Sequence, residues 1–194
     1  MAIRQPLRKL RKSSGSDDWS EFHGVRMTEE EFVELDDAEE TDLEFADGFA
    51  TEKAVVDRNH ANLVGELGGH FFLHRRRKGG EFGPERRVRV RPGRRIKPDN
   101  AYYVRGAPMG EDVLPTIAVE VRSKSQTMAE QRRKCHEYVD AGVPEVWLID
   151  PVSRSVEVFL GTHVAQSLRA PETLTSRHLP GFALALAELF SVLD

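Results

Sequence analysis

Apolar positions recur at two different periods along the chain, and the switches between them predict its elements. In RNHANLVGELGGHFFLHRRRK, Ala61, Val64, Leu67 and Phe71 fall three and four residues apart, the spacing of one helix face. Gly79-Gly80 ends that helix. MTEEEFVELDD predicts a shorter one, with Thr28 as N-cap and Glu31 three residues on, the capping-box pattern. Thr127 to Ala141 (TMAEQRRKCHEYVDA) predicts a third, closed by Gly142 as a C′ glycine. Elsewhere the pattern is that of strands. Leu43 to Val56 (LEFADGFATEKAVV) predicts a hairpin turning at Asp47-Gly48. ERRVRVRPG alternates arginine and valine, as a strand with one exposed face does. Residues 98–104, Leu114 to Ser123, PEVWLID and RSVEVFL predict further strands, the last two joined by a turn at DPVSR. LPGFALALAELFSVLD reads as a strand or loop running into a short helix.

The order of elements is helix, hairpin, helix, strands, helix, strands, helix, without internal repeats. That is an α/β or α+β chain built around a mixed sheet. Residues 1–24 lack periodicity and are rich in Ser, Lys, Arg and Asp. They read as a disordered basic and polar tail, leaving 25–194 as a single domain.

Composition narrows the class. With 194 residues, 39% of them hydrophobic, the chain can bury the core of one ordinary domain. No apolar run approaches the ~20 residues of a membrane span. The one cysteine, Cys135, cannot form an internal disulfide, and the basic N-terminus has no signal-peptide core. A cytoplasmic protein is the expectation. The net charge of −4 conceals two blocks: Glu29 to Asp47 is acidic, and Arg75 to Lys97 is basic. Such blocks suit a polyanion-binding face and an acidic metal site, or two solvated faces that partly neutralise each other.

Two carboxylates interrupt runs that otherwise look like buried strand: Asp99 in PDNAYYV and Glu120 in TIAVEVRS. Residues i and i+2 of a strand share a face, so Glu120 and Arg122 point together while Val119 and Val121 point away. If the two strands are neighbours, the carboxylates converge, and at about 4–6 Å they repel unless a cation lies between them. Oxygen ligands of this kind suit Mg²⁺ or Mn²⁺. The blander alternatives are a turn-capping Asp99 after Pro98 and a Glu120 that discourages edge pairing. On the basic strand, Arg87, Arg89 and Arg91 share one face at a spacing comparable to successive phosphates, so they are candidates for a nucleic-acid backbone, or else a solvated face.

Pro98-Asp99, a spacer, then Glu120-x-Arg122 resembles the PD-(D/E)xK nuclease superfamily. LPTIAVEVRSKSQTMAEQRRKCHEYVDAGVPEVWLIDPVSRSVEVF more specifically resembles the Uma family of restriction-endonuclease-like proteins. That family pairs a V-E-V-x-S strand with a helix carrying a lysine and a tyrosine, then a G-V-x-E-x-W-x-x-D-P strand. LEFADG is similar to its E-x-x-D-G hairpin, Asn59-His60 to its helix-start histidine, and LPGFALALAELF to its closing segment. The resemblance runs from about Thr28 to Leu193.

It implies a restriction-endonuclease-like mixed β-sheet flanked by helices, hydrolysing DNA (or RNA) phosphodiesters with Mg²⁺ or Mn²⁺, in a homodimer. It implies Asp99 and Glu120 as metal ligands, Glu44 as an added acidic ligand direct or through water, and His60 as an orienting or substrate-contacting group. One departure stands out, since Arg122 occupies the superfamily's lysine position. Arginine stays protonated and is a poor general base, though it can clamp a phosphate. Lys134, at the family's helix lysine, or Lys124 could supply an ammonium instead, with Lys134 favoured. Trp147 and Tyr138 read as packing residues, and Cys135 as a small buried or helix-face residue and not a nucleophile. The rival reading is a catalytically degenerate module of the same fold that binds nucleic acid or a protein partner.

Overall fold

A computed structural model describes residues 22–194 apart from 40, 55, 109, 111, 162 and 163. The expected N-terminal tail falls, for residues 1–21, outside the described residues. The chain divides into two compact units. One runs to Lys53 and includes Pro92–Arg95; the other comprises Ala54–Arg91 and Ile96–Asp194.

The first unit opens with α1 (Glu29–Glu39). Its start is the expected capping box: the Thr28 amide donates to Glu31 Oε2 at 2.7 Å, and the Glu31 amide to Thr28 Oγ1 at 3.1 Å. Strands β1 (Leu43–Ala46) and β2 (Phe49–Glu52) form the expected hairpin. Asp47 and Gly48 both have positive φ, 48° and 92°, as its tight turn requires. After α2 (Arg58–Lys78), β3 (Glu81–Gly83) and β4 (Val88–Arg91), described below, comes β5 (Arg94–Ile96). Arg95 and Arg94 pair with Phe45 and Ala46 of β1. Phe32 of α1 stacks on Phe45, and Phe22, Met27, Leu35, Leu43 and Ala50 complete that small core.

The second unit is a sheet with helices on both faces. Its remaining strands are β6 (Asn100–Tyr103), β7 (Ile117–Val121), β8 (Glu145–Asp150), β9 (Ser155–Leu160) and β10 (Val164–Arg169). They lie in the order β10-β9-β8-β7-β6-β3. Only the β7–β8 pair is parallel among these neighbours, and α3 (Met128–Ala141) is its crossover. A capping box at Thr127 and Glu130 starts α3, and Gly142, at φ 104°, ends it. A short hairpin, β11 (Thr173–Thr175) with β12 (Ala183–Ala185), leads into α4 (Leu186–Ser191).

The alternation along β7 decides the layering. Ile117, Val119 and Val121 face a core filled by Leu63, Leu67 and Phe71 of α2 with Trp147 and Phe182. Ala118 faces the other core, made with Cys135, Tyr138 and Val139 of α3 and the valines of β4. Each large side chain so buried stabilises the fold by about 1.5–3 kcal/mol. Among the described residues no helix is long and apolar enough to cross a membrane.

Candidate functional site

The antiparallel register of β6 and β7 pairs Asn100 with Val119. The next step of that ladder sets Asp99 opposite Glu120, on the same face of the pleat. Both carboxylates are buried, Asp99 at 3% and Glu120 at 2% exposure. They are therefore neither solvated turn nor edge charges.

Each carboxylate is gripped from a different element. Asp99 Oδ2 accepts the Val121 backbone N–H at 2.7 Å and lies 3.0 Å from His60 Nε2. His60 belongs to the first turn of α2, and that turn is fixed by its cap. Asp57 Oδ1 accepts the amides of Asn59 and His60, and Oδ2 accepts the amide of Lys124. Asp57 thus ties the start of α2 to the loop after β7. Burial alone would raise its pKa, but the amides of His60, Lys124 and Asn59 together hold it below the usual carboxylate value.

Glu120 faces α3. Lys134 Nζ lies 3.0 Å from its carboxylate oxygens, and the Tyr138 hydroxyl donates to Oε1 at 2.8 Å. Lys134 and Tyr138 are one helical turn apart, so a single face of α3 delivers both. Tyr138 is fully buried, as a packing residue would be, but its hydroxyl reaches the site. The sequence signal for it was the lysine–tyrosine spacing of four. Cys135 is buried beside them. Burial first, and the Glu120 carboxylate next, push its thiol well above the ordinary value, so it is no nucleophile.

The Arg122 guanidinium is spent on Asp150 and not on Glu120. Strand β7 ends at Val121. Arg122 turns to the end of β8, where Nε and Nη2 donate to Asp150 Oδ1 at 2.9 and 2.7 Å, and Nη1 donates to the Gln126 carbonyl. Asp150 also accepts from the amides of Val152 and Ser153 and from the Ser153 hydroxyl. Burial would raise its pKa, yet the Ser153 hydroxyl, Arg122 and the Val152 amide hold it below the ordinary value.

The other predicted residues are dispersed. Glu44 lies in the first unit, buried on β1, with its carboxylate 3.5 Å from Arg94 Nη1. Arg89 and Arg91 point to solvent from β4 while Val88 and Val90 point inward. Arg87 precedes that strand and is half-buried, so it does not extend the row of exposed arginines. Lys124 is exposed. A carboxylate–imidazole cluster that sequence reasoning did not single out joins Glu66, His70 and Glu188, with ligand atoms within 4.8 Å of one another. His70 Nε2 lies 3.3 Å from Glu66 and 3.5 Å from Glu188, so the imidazole itself bridges the two carboxylates.

The fold of the chain is that of a known class. It matches a crystal structure from Anabaena variabilis, described as a putative nuclease belonging to DUF820, with a TM-score of 0.74 at 19% identity. The match covers 87% of this chain and 99% of that one. The model of the family described as "Uma2: Putative restriction endonuclease" matches residues 29–187, and the chain belongs to that family. Among curated proteins none matches.

Proposed function

We propose that the chain is a metal-dependent endonuclease that hydrolyses DNA phosphodiester bonds at Asp99 and Glu120. One observation carries the reading: two buried carboxylates stand opposite each other across β6 and β7, one of them 3.0 Å from the ammonium of Lys134. Burying two anions together is costly without cations to compensate them. Hard carboxylate oxygens fit Mg²⁺ or Mn²⁺, and Asp99 and Glu120 would hold the ion. Bound there, it would supply Lewis acidity toward the phosphodiester and make water at the site more acidic. The description of the family and that of the Anabaena protein, both nucleases by name, agree with this chemistry.

The chain's own groups have separate tasks. Lys134 supplies a fixed positive charge where charge gathers on the phosphate in the transition state. His60 and Tyr138 are positioning residues, which fix the carboxylates of Asp99 and Glu120 through hydrogen bonds. Arg89, Arg91 and Lys124 are exposed cations suited to a DNA backbone. Cutting both strands of a duplex takes two such sites, which a homodimer supplies.

The test is cleavage of supercoiled plasmid and single-stranded DNA with Mg²⁺, Mn²⁺ or EDTA, with Asp99→Ala and Glu120→Ala beside the parent chain. Metal-dependent cutting that vanishes in both variants supports the reading. A second reading, a module of this fold that binds nucleic acid without cutting it, draws on one observation. Arg122, at the superfamily's lysine position, spends its guanidinium on Asp150. DNA binding without cutting under any metal would favour it.

A further inference from the structure

On the opposite face of the sheet from Glu120, a cavity of about 380 Å³ opens where α2 ends. Tyr102 and Leu179 are part of its apolar wall, and Lys78, Arg105, His74 and His178 bring the polar atoms. The lining holds no carboxylate. Neither Lys78 nor Arg105 makes an ion pair among the described residues.

Their stems lie close to glycine backbone. A Cβ on Gly79, whose φ is 77°, would meet Arg105 Cδ at 3.1 Å, and one on Gly181 would come 3.7 Å from Lys78 Cε. Each cation is thus laid along a bare stretch of chain at the rim. The Tyr102 hydroxyl is committed to the Gly79 carbonyl at 2.6 Å, and the ring itself is buried against Phe71 and His74. His74 stacks edge-on against Tyr102 and is buried. Burial first, then Arg77 and Lys78, lower its pKa, so it stays neutral and the cavity's charge is that of Lys78 and Arg105. The partial negative charge at the end of α2, about half a unit, is smaller than either cation.

We propose that this cavity binds a phosphomonoester with a planar body, a mononucleotide in size and charge. Arginine's fork and lysine's compact ammonium together match a phosphate dianion. Val104 and Pro180 give the accessible apolar lining that takes the flat remainder, and the volume falls in the range of small-molecule sites. The site is separate from Asp99 and Glu120 and stands or falls without them.

Calorimetric titration of the full chain with dAMP in EDTA tests it, with inorganic phosphate and benzoate as comparison probes. Saturable dAMP binding is expected, weakened about tenfold or more by Lys78→Glu and by Arg105→Ala, since each loses a charge-assisted contact. Phosphate and benzoate should each bind at least about tenfold more weakly than dAMP. Both substituted residues are exposed, and a thermal melt checks that the variants remain folded. Asp99→Ala should bind dAMP as the parent does. No saturable binding, binding indifferent to both substitutions, equal binding of phosphate or benzoate, or binding abolished by Asp99→Ala would each overturn the proposal. A chain that binds dAMP this way but cuts no DNA would keep this site and lose the nuclease reading.

Discussion

Glu120 and Asp150 sit at matching ends of two parallel strands, β7 and β8, and each is buried beside a cation. Their surroundings nevertheless differ in kind. Asp150 is filled from its own turn and from Arg122: two guanidinium nitrogens, two amides and a hydroxyl all converge on it. Glu120 is met by the tips of two side chains, Lys134 and Tyr138, from the helix that makes the β7–β8 crossover. A carboxylate saturated by backbone amides and a bidentate arginine is locked, and its work is to close the β8–β9 turn. On the proposed reading, a carboxylate held by the tips of a lysine and a tyrosine is the one that would take a metal ligand's role. The residue two places after Glu120 belongs to the first kind of site, the glutamate to the second.

The largest effects should break the second site alone. Asp99→Ala or Glu120→Ala should lower metal-dependent plasmid cleavage by roughly 10³-fold or more, with Asp150→Asn far milder per folded molecule. Equal losses from all three in a cleavage assay would erase the distinction between the sites. Next in size, Lys134→Gln should cost about 10²-fold in cleavage rate. Arg122→Lys sharpens the contrast. If position 122 served the chemistry, lysine there would raise the rate. The pairing with Asp150 predicts no gain.

The expected cost of losing Arg122 is in stability. Arg122→Gln should destabilise the fold by about 2 kcal/mol, the scale of a charged hydrogen bond lost beside a largely buried carboxylate, as read from urea melts at pH 7. Its pH dependence has a definite sign. The folded pKa of Asp150 is depressed, so its contribution is present above the unfolded value, near 3.9, and is lost as pH falls through the lower folded value. The gap between parent and Arg122→Gln should therefore shrink in melts taken below about pH 4. A gap unchanged by acid would mean that Arg122 acts through packing of its stem.

Elements fixed by contacts a few residues apart were legible in the sequence. The capping boxes at Thr28 and Thr127, the Asp47-Gly48 turn and the Gly142 cap are all of this sort, since each is decided within one turn of chain. The mixed sheet in an α/β or α+β chain was legible from the order of periods, and its flanking by helices from the family resemblance. What escaped depended on distant partners. Strands β5 and β10 are short, arginine- or serine-bearing stretches that become strands because β1 and β9 present edges to them. The shared face of Glu120 and Arg122 followed from strand period, but a partner 28 residues on, Asp150, decides where the guanidinium goes. Glu120 and Lys134, 14 residues apart, came together as the family pattern implied. Tyr138 was legible as a buried helix residue, while its hydroxyl's target was not.

The smallest effect tests what Tyr138 adds to that site. Tyr138→Phe keeps the ring and its packing, and removes one donor from Glu120 Oε1. A buried acceptor then loses a partner, at a cost of about 1 kcal/mol in a urea melt. If the hydroxyl were only structural, cleavage per folded molecule would not change. If it orients Glu120 for an ion, cleavage at low Mg²⁺ should fall about tenfold, the scale for losing a group that orients a metal ligand, and excess Mg²⁺ should restore most of it. If Lys134 supplies charge to the phosphate, as proposed, the same titration with Lys134→Gln should show a loss that excess metal does not restore. Two neighbours of one glutamate, a helical turn apart on α3, would then separate by the metal concentration at which each is missed.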